Sequence, residues 1–248
     1  MVILKTKKEL DKMRDSGYIA SRALKKLELE VIPGITTIEL NNIAEKTIKN
    51  YGAIPAFLGY NAFPFTICAS VNEEIIHGLP SDRVLLEGDI LSVDVGVNYD
   101  GYYSDTAITI PIGKVSSRAR KIITATEKCL RNAIIKSIPN TPIGCLSNAI
   151  QRCAELKGFN VVRNYGGHGI GKELHEDPQI LNYGKPGIGI MLKPGMVIAI
   201  EPIVTENGYE NIKKGGWTVI TKDGGLSAHF EHTVAITENG PEIFTERS

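Results

Sequence analysis

The sequence has no surplus charge of either sign, no long apolar run and a single tryptophan. Lys+Arg and Asp+Glu both number 28, so the formal net charge is zero. A protein that holds nucleic acid by bulk electrostatics carries a basic surplus; that class is excluded, apart from a local patch, and no nucleic-acid partner is expected. No stretch approaches the length of a membrane-spanning helix, so no membrane association is expected. The opening MVILKTKKELDKMRDSG lacks the apolar core of a signal peptide and reads as a helix start. The cysteines, Cys68, Cys129, Cys145 and Cys153, show no CxxC spacing. They are expected as free thiols in a reducing cytoplasm.

Against that ordinary background, four carboxylates stand in apolar strand sequence. They are Asp94 in ILSVDVGV, Asp105 in YYSDTAITI, Glu201 in MVIAIEPIV and Glu231 in AHFEHTVAI. Burying one bare carboxylate costs several kcal/mol even after the protein relaxes. Four in one fold call for cations. Each alone has a plainer reading: Asp105 could cap a strand, Glu201 could end one before Pro202, and Glu231 could pair with His229 or His232. Asp94, between Val93 and Val95, is hardest to explain that way.

An internal repeat argues against four separate coincidences. Ile32-Pro33 and Ile138-Pro139 lie 106 residues apart, and each precedes a helical pattern that ends at a glycine, Gly52 or Gly158. GDILSVD then places Asp94 six residues after Gly88, as GMVIAIE places Glu201 six after Gly195. Asp105 and Glu231 each precede an apolar alternation, with about twenty extra residues between the acids of the second half. Apolar spacing predicts helices over 5–30, 37–51, 116–136 and 143–157. Turn signals occur at Asp100-Gly101, Asn207-Gly208 and Asp223-Gly224. The whole chain, 1–248, reads as one catalytic domain of the α+β class (also described as α/β). Its pseudo-repeat halves, about 1–115 and 116–248, each have two helices followed by antiparallel strands.

A two-residue turn at Asp100-Gly101 makes Gly96 face Asp105 and Asp94 face Ala107. Asp94 and Asp105 then share a sheet face as diagonal neighbours, about 7–8 Å apart along the backbone. His168 supplies a second ligand type within the glycine-rich NYGGHGIGKELHEDP, followed by His175. His77, in NEEIIHGLP, is ambiguous alone. A set of four carboxylates and one histidine suits Mn, Fe, Co or Mg ions better than a structural zinc. With bridging carboxylates it would hold two ions about 3.5–4 Å apart.

At these residues the sequence resembles the methionine aminopeptidase family. The likeness covers essentially the whole chain, through CASVNEEIIHGLP, SVDVGVNYDGYYSDTA, GGHGIGKELHEDP and FEHTVAIT. It is similar to the short type I form, and it implies the pseudo-twofold "pita-bread" (creatinase/aminopeptidase) fold of the M24 metallopeptidases. It further implies two divalent ions (Co, Mn, Fe or Zn) held by Asp94, Asp105, His168, Glu201 and Glu231, with Asp105 and Glu231 bridging. His77 and His175 match substrate-contacting histidines. Tyr60, Phe63, Cys68 and Trp217 match the methionine pocket, for which the plainer reading is core packing. Phe57 and Leu174 also align with that pocket but differ from the bacterial pattern, where Cys and Phe stand.

The implied reaction removes N-terminal methionine from newly made polypeptides in the cytoplasm, with a small second residue preferred. Hydroxide generated at the dinuclear centre attacks the first peptide bond, Glu201 shuttles the proton, His175 stabilises the oxyanion and His77 helps protonate the leaving amine. A transient ribosome contact and a monomeric state complete the expectation. Two alternatives stay open: a proline-specific aminopeptidase of the same fold, and a non-catalytic pita-bread binding module.

Overall fold

Thr6 and Thr36 start the first two helices by the same device. Each threonine hydroxyl accepts the N–H of a glutamate three residues on, and that carboxylate accepts the threonine's own N–H (2.9 Å at Thr6, 2.8 Å at Thr36). Two otherwise orphaned donors are satisfied at each helix start. The computed structural model describes residues 1–247. In chain order these form α1 (Lys7–Glu30), α2 (Thr37–Asn50), β1 (Ile54–Pro55), a 3-10 turn (Tyr60–Ala62), β2 (Ile67–Val71), β3 (Glu74–Ile76), β4 (Ile90–Tyr99) and β5 (Tyr102–Pro111). Then follow α3 (Ser117–Lys136), α4 (Ile143–Glu155), β6 (Asn160–Val161), β7 (Gly166–Gly169), β8 (Glu176–Leu181), β9 (Val197–Ile200) and β10 (Ile203–Thr205). The chain closes with β11 (Asn211–Lys214), β12 (Thr218–Thr221), β13 (Ser227–His229), β14 (Glu231–Thr237) and β15 (Gly240–Ile243). The four helices fall where apolar spacing placed them.

The main sheet is antiparallel and nine-stranded, in the order β1-β4-β5-β14-β9-β7-β8, with β2 added on β4 and β15 on β14. Its middle shows the expected pseudo-twofold. The run β2-β4-β5 is answered by β7-β9-β14, and the halves join where Ala107 faces Glu231 and Thr106 faces His232. Helices cover one face: α1 packs on β4 and β5, and α3 packs on α4, β5, β9 and β14. Val93, Val95 and Val97 enter the same apolar core as Ile19, Leu24 and Ile122. Strand alternation therefore leaves Asp94 and Gly96 on the opposite face.

The β4–β5 register is the one that the turn at Asp100-Gly101 predicts, with Gly96 opposite Asp105 and Asp94 opposite Ala107. Asp100 and Gly101 both have positive φ (50° and 78°), as a tight two-residue hairpin demands. The other two turn signals do not close hairpins. At Asn207-Gly208 and at Asp223-Gly224 the chain passes from one sheet to another. Distant partners decide those strands: β10 pairs with β6 and β13, and β12 pairs with β11 and β3. Asp223 ties the two crossings together by accepting the N–H groups of Gly208 and Gly225, each at 2.9 Å. The extra residues of the second half thus form β10–β13, of which β12 runs between β11 and β3, just ahead of His77.

Candidate active site

One cavity on the helix-free face of the sheet is lined by all thirteen residues singled out from the sequence. The carboxylates arrive from four strand positions: Asp94 within β4, Asp105 within β5, Glu231 at the start of β14 and Glu201 directly after β9. His168 comes from β7, and glycine explains how. A Cβ on Gly167 would lie 2.2 Å from the Ala199 carbonyl oxygen, and one on Gly169 would lie 2.1 Å from that of Asp177. Only glycine lets β7 lie this close to its neighbours, and alternation sends His168 the other way, into the cavity.

Asp105, His168 and Glu231 are buried and offer ligand atoms that all lie within 4.8 Å of one another. Asp94 and Glu201, each half-buried, flank this trio. Nε2 of His168 lies 3.9 Å from Oε1 of Glu201. Its Nδ1 is 2.8 Å from the Gly169 carbonyl oxygen, so Nδ1 carries the proton and Nε2 presents a lone pair to the acids, a usual arrangement for a metal-binding histidine. Asp105 is fixed from several sides. The Thr106 N–H donates to its Oδ1 (3.0 Å), and buried Thr233 joins its main chain at both ends (2.9 and 2.8 Å).

The apolar wall lies next to the acids. Phe57, Phe63, Cys68 and Leu174 are buried, and Trp217 stands edge-on to Phe63 with ring centres 5.2 Å apart. Gly96 makes room for Phe57: a Cβ there would lie 2.5 Å from the phenyl ring. Burial and then the neighbouring Asp94 push the Cys68 thiol well above its ordinary range, so it lines the slot as a neutral group. At the mouth, the Tyr60 hydroxyl lies 2.9 Å from Nδ1 of His175, whose ring lies 4.3 Å from that of His168. His77 has φ of +56°, a strained value for a histidine and one that recurs at functional sites.

Removal from water raises every carboxylate of the cluster. Asp94 is pushed up to about 7 and Glu201 to about 8, the latter also by the charge of Asp94. Asp105 and Glu231 rise further, first through burial and then through the other acids. Burial lowers the histidines, His168 to about 3 and His77 to about 4. Three buried polar atoms of the cavity, Oδ1 of Asp94, Oε1 of Glu231 and Nε2 of His229, have no hydrogen-bond partner. Crowded acids, neutral histidines and unpartnered carboxylate oxygens fit a divalent cation, which would supply the missing partner to Asp94 and Glu231.

Comparison with known proteins agrees. Residues 11–238 match metallopeptidase family M24. The chain belongs to this family. It is 48% identical over 246 residues to methionine aminopeptidase 1 of Bacillus subtilis, covering 99% of both chains. The crystal structure of methionine aminopeptidase from Thermotoga maritima superposes with a TM-score of 0.98 at 44% identity, over 99% of this chain and 100% of that one. A prolidase from Pyrococcus furiosus shares the fold at a TM-score of 0.82 and 27% identity, with this chain spanning 66% of its length. M24 metallopeptidases bind divalent metal, and the acid cluster is where this member can do so. No helix of the described residues is long and apolar enough to cross a membrane, and all four cysteines are free.

Three further residues line the M24 cavity: Asn61, Ile76 and His229. His229 matters most. Its ring is buried, with Nε2 3.6 Å from Glu201 and 3.7 Å from Glu231. Strand alternation could have found it, since His229 stands two residues before Glu231 and so faces the same way.

The raised carboxylates make the metal-free M24 fold sensitive to base. Folded, these groups keep protons that the unfolded chain gives up near its ordinary carboxylate values. Their contribution to stability is therefore full at low pH and is lost as pH rises through about 7 and 8. The depressed histidines act oppositely, but only as pH falls below about 6.5. With a chelator present, the melting temperature should fall between pH 6.5 and 8.5, and the gain on adding Mn²⁺ should grow over that interval as bound protons are released. Thermal unfolding with and without the ion checks this; a melting temperature that rises with pH in chelator contradicts it.

Proposed function

We propose that the protein removes the N-terminal methionine from newly made polypeptides in the cytoplasm, with two divalent ions held by Asp94, Asp105, His168, Glu201 and Glu231. Co, Mn, Fe and Zn all suit that donor set. The observation that carries this reading is the short apolar slot of Phe57, Phe63, Cys68 and Leu174 beside the acid cluster. It takes one unbranched, polarizable side chain and places the adjoining peptide bond at the acids. The end-to-end likeness to two methionine aminopeptidases supports it.

When bound, such ions supply Lewis-acid polarisation of a carbonyl and lower the pKa of water from 15.7 toward about 7. This chain's residues do the rest. Glu201, at the edge of the acid cluster beside His168 and His229, is suited to take a proton at its carboxylate and give it back to the leaving amine. The Tyr60 phenol, raised by burial and so protonated, donates to Nδ1 of His175. That fixes the His175 proton on Nε2, facing the place where carbonyl oxygen gains charge. His77, neutral because burial and His175 lower it to about 4, serves as a hydrogen-bond partner for the scissile amide. The aromatic edge of Trp217 and Tyr60 covers the slot and excludes water from it.

Turnover of Met-Gly-Xaa against Xaa-Pro peptides with Mn²⁺ or Co²⁺ tests the reading. The methionine peptide should be favoured by about a hundredfold, the scale of discrimination by an apolar pocket, and a bulky second residue should lower its turnover. Preference for Xaa-Pro would replace the proposal with the proline-specific alternative. No turnover of either would favour the binding module.

A further inference from the structure

Just behind the cavity wall lies a charged pair that the reaction does not use. Nζ of Lys5, in the segment before α1, lies 2.5 Å from Oε2 of Glu176, and the two side chains are only 4% and 6% exposed. Pairs such as Lys12–Asp100 lie at the surface instead. Taking an ion pair out of water is costly, so a buried one is weak evidence for stability and better evidence that one particular conformation is being fixed.

The contacts show which conformation. Oε1 of Glu176 accepts the N–H of Lys172 at 2.9 Å and, more loosely, that of Glu173 at 3.4 Å. Glu176 therefore closes the loop 171–176 upon itself, and that loop carries Leu174 of the apolar slot and His175 of the mouth. Lys5 is held in turn: its N–H donates to the Gly195 carbonyl (2.7 Å) and its Nζ also donates to that of Ile3 (3.2 Å). Gly195 lies in the turn before β9, and Glu201 directly follows that strand. A Cβ on Gly171 would meet Oε1 of Glu176 and Cε of Lys5 at 2.5 Å each, so the loop backbone closes directly over the pair.

We propose that Lys5 and Glu176 are positioning residues for the reaction. The buried pair ties the segment before α1 and the turn before β9 to the loop bearing Leu174 and His175, setting the His175 ring against Tyr60. The inference rests on the role given to His175 above. The test uses full-length protein loaded with Mn²⁺, comparing wild type, Lys5→Met and Lys5→Arg. Hydrogen exchange at the amides of Lys172 and Glu173 reads the loop directly; kcat and KM for Met-Gly-Xaa read its consequence.

Lys5→Met should speed that exchange and lower kcat by about a hundredfold, the cost of a displacement near 1 Å, with a smaller change in KM. Lys5→Arg, which keeps the charge, should restore most of both. If Lys5→Met does not fold, Glu176→Gln, which keeps one oxygen acceptor for the loop N–H groups and puts an uncharged amide, unable to accept from Lys5, in place of the other, is read in the same way. Unchanged exchange overturns the clip, and faster exchange with unaltered kcat overturns its link to His175. If the wild-type protein fails to cleave the methionine peptide, the functional reading falls, while the exchange data still judge the clip.

Discussion

Asp94→Asn should lower turnover of a methionine peptide by about a thousandfold, the equivalent of losing several kcal/mol of Lewis-acid stabilisation, and leave the fold intact. The substitution keeps the size of the side chain and takes away its charge. Asp94 sits in β4 between two valines of the helix-side core, with its Oδ1 unpartnered and its carboxylate raised to about 7 by burial. An amide oxygen is a poorer ligand and cannot supply the negative oxygen that the proposed metal set asks of Asp94. The same change relieves repulsion among four crowded acids, so the metal-free variant should melt at the wild-type temperature or above. Two measurements taken together decide the matter. Turnover should collapse, and the melting-temperature difference between chelated and Mn²⁺-loaded protein should shrink. Near-normal turnover would remove Asp94 from the proposed metal set, and an unfolded variant would mean that its role is structural.

Much of this arrangement is legible in the sequence because two strong local signals coincide. Asp100-Gly101 specifies a two-residue hairpin, and that turn alone fixes the register that puts Asp94 and Asp105 on one face. The repeat then carries the pattern over to Glu201 and Glu231. Helix limits are equally readable, since amphipathic spacing and capping residues are local. What local signals do not carry is the route of residues 203–229. Their turn residues suggest hairpins, but β10 and β12 are claimed by β6 and β3, far away in the sequence. The neighbours of His77 and Trp217 therefore follow from tertiary pairing alone. His229 follows from strand alternation, two residues before Glu231, but a lone strand histidine carries no signal of its own. The buried Lys5–Glu176 pair joins residues 171 positions apart, and no spacing rule connects them.

His175→Ala should lower kcat by about a hundredfold to a thousandfold, the range seen when one donor to a developing oxyanion is removed, while KM changes much less. The residue is exposed at the mouth of the cavity, away from the buried slot proposed to take the substrate side chain. Its loss removes no core contact. Its worth lies in one proton on Nε2, held there while Tyr60 occupies Nδ1 at 2.9 Å. Tyr60→Phe should therefore have a milder effect of the same kind, because the imidazole stays but loses the hydrogen bond that selects its tautomer. Packing of its ring against His168 and Tyr60 takes the imidazole partly out of water and lowers its pKa, so the ring remains neutral, and the donor remains the same N–H, at and above neutral pH. The kcat ratio of wild type to His175→Ala should accordingly hold constant across neutral and mildly basic pH. A variant in which KM alone rises would make His175 a ground-state binding residue, and the oxyanion would then need its donor elsewhere.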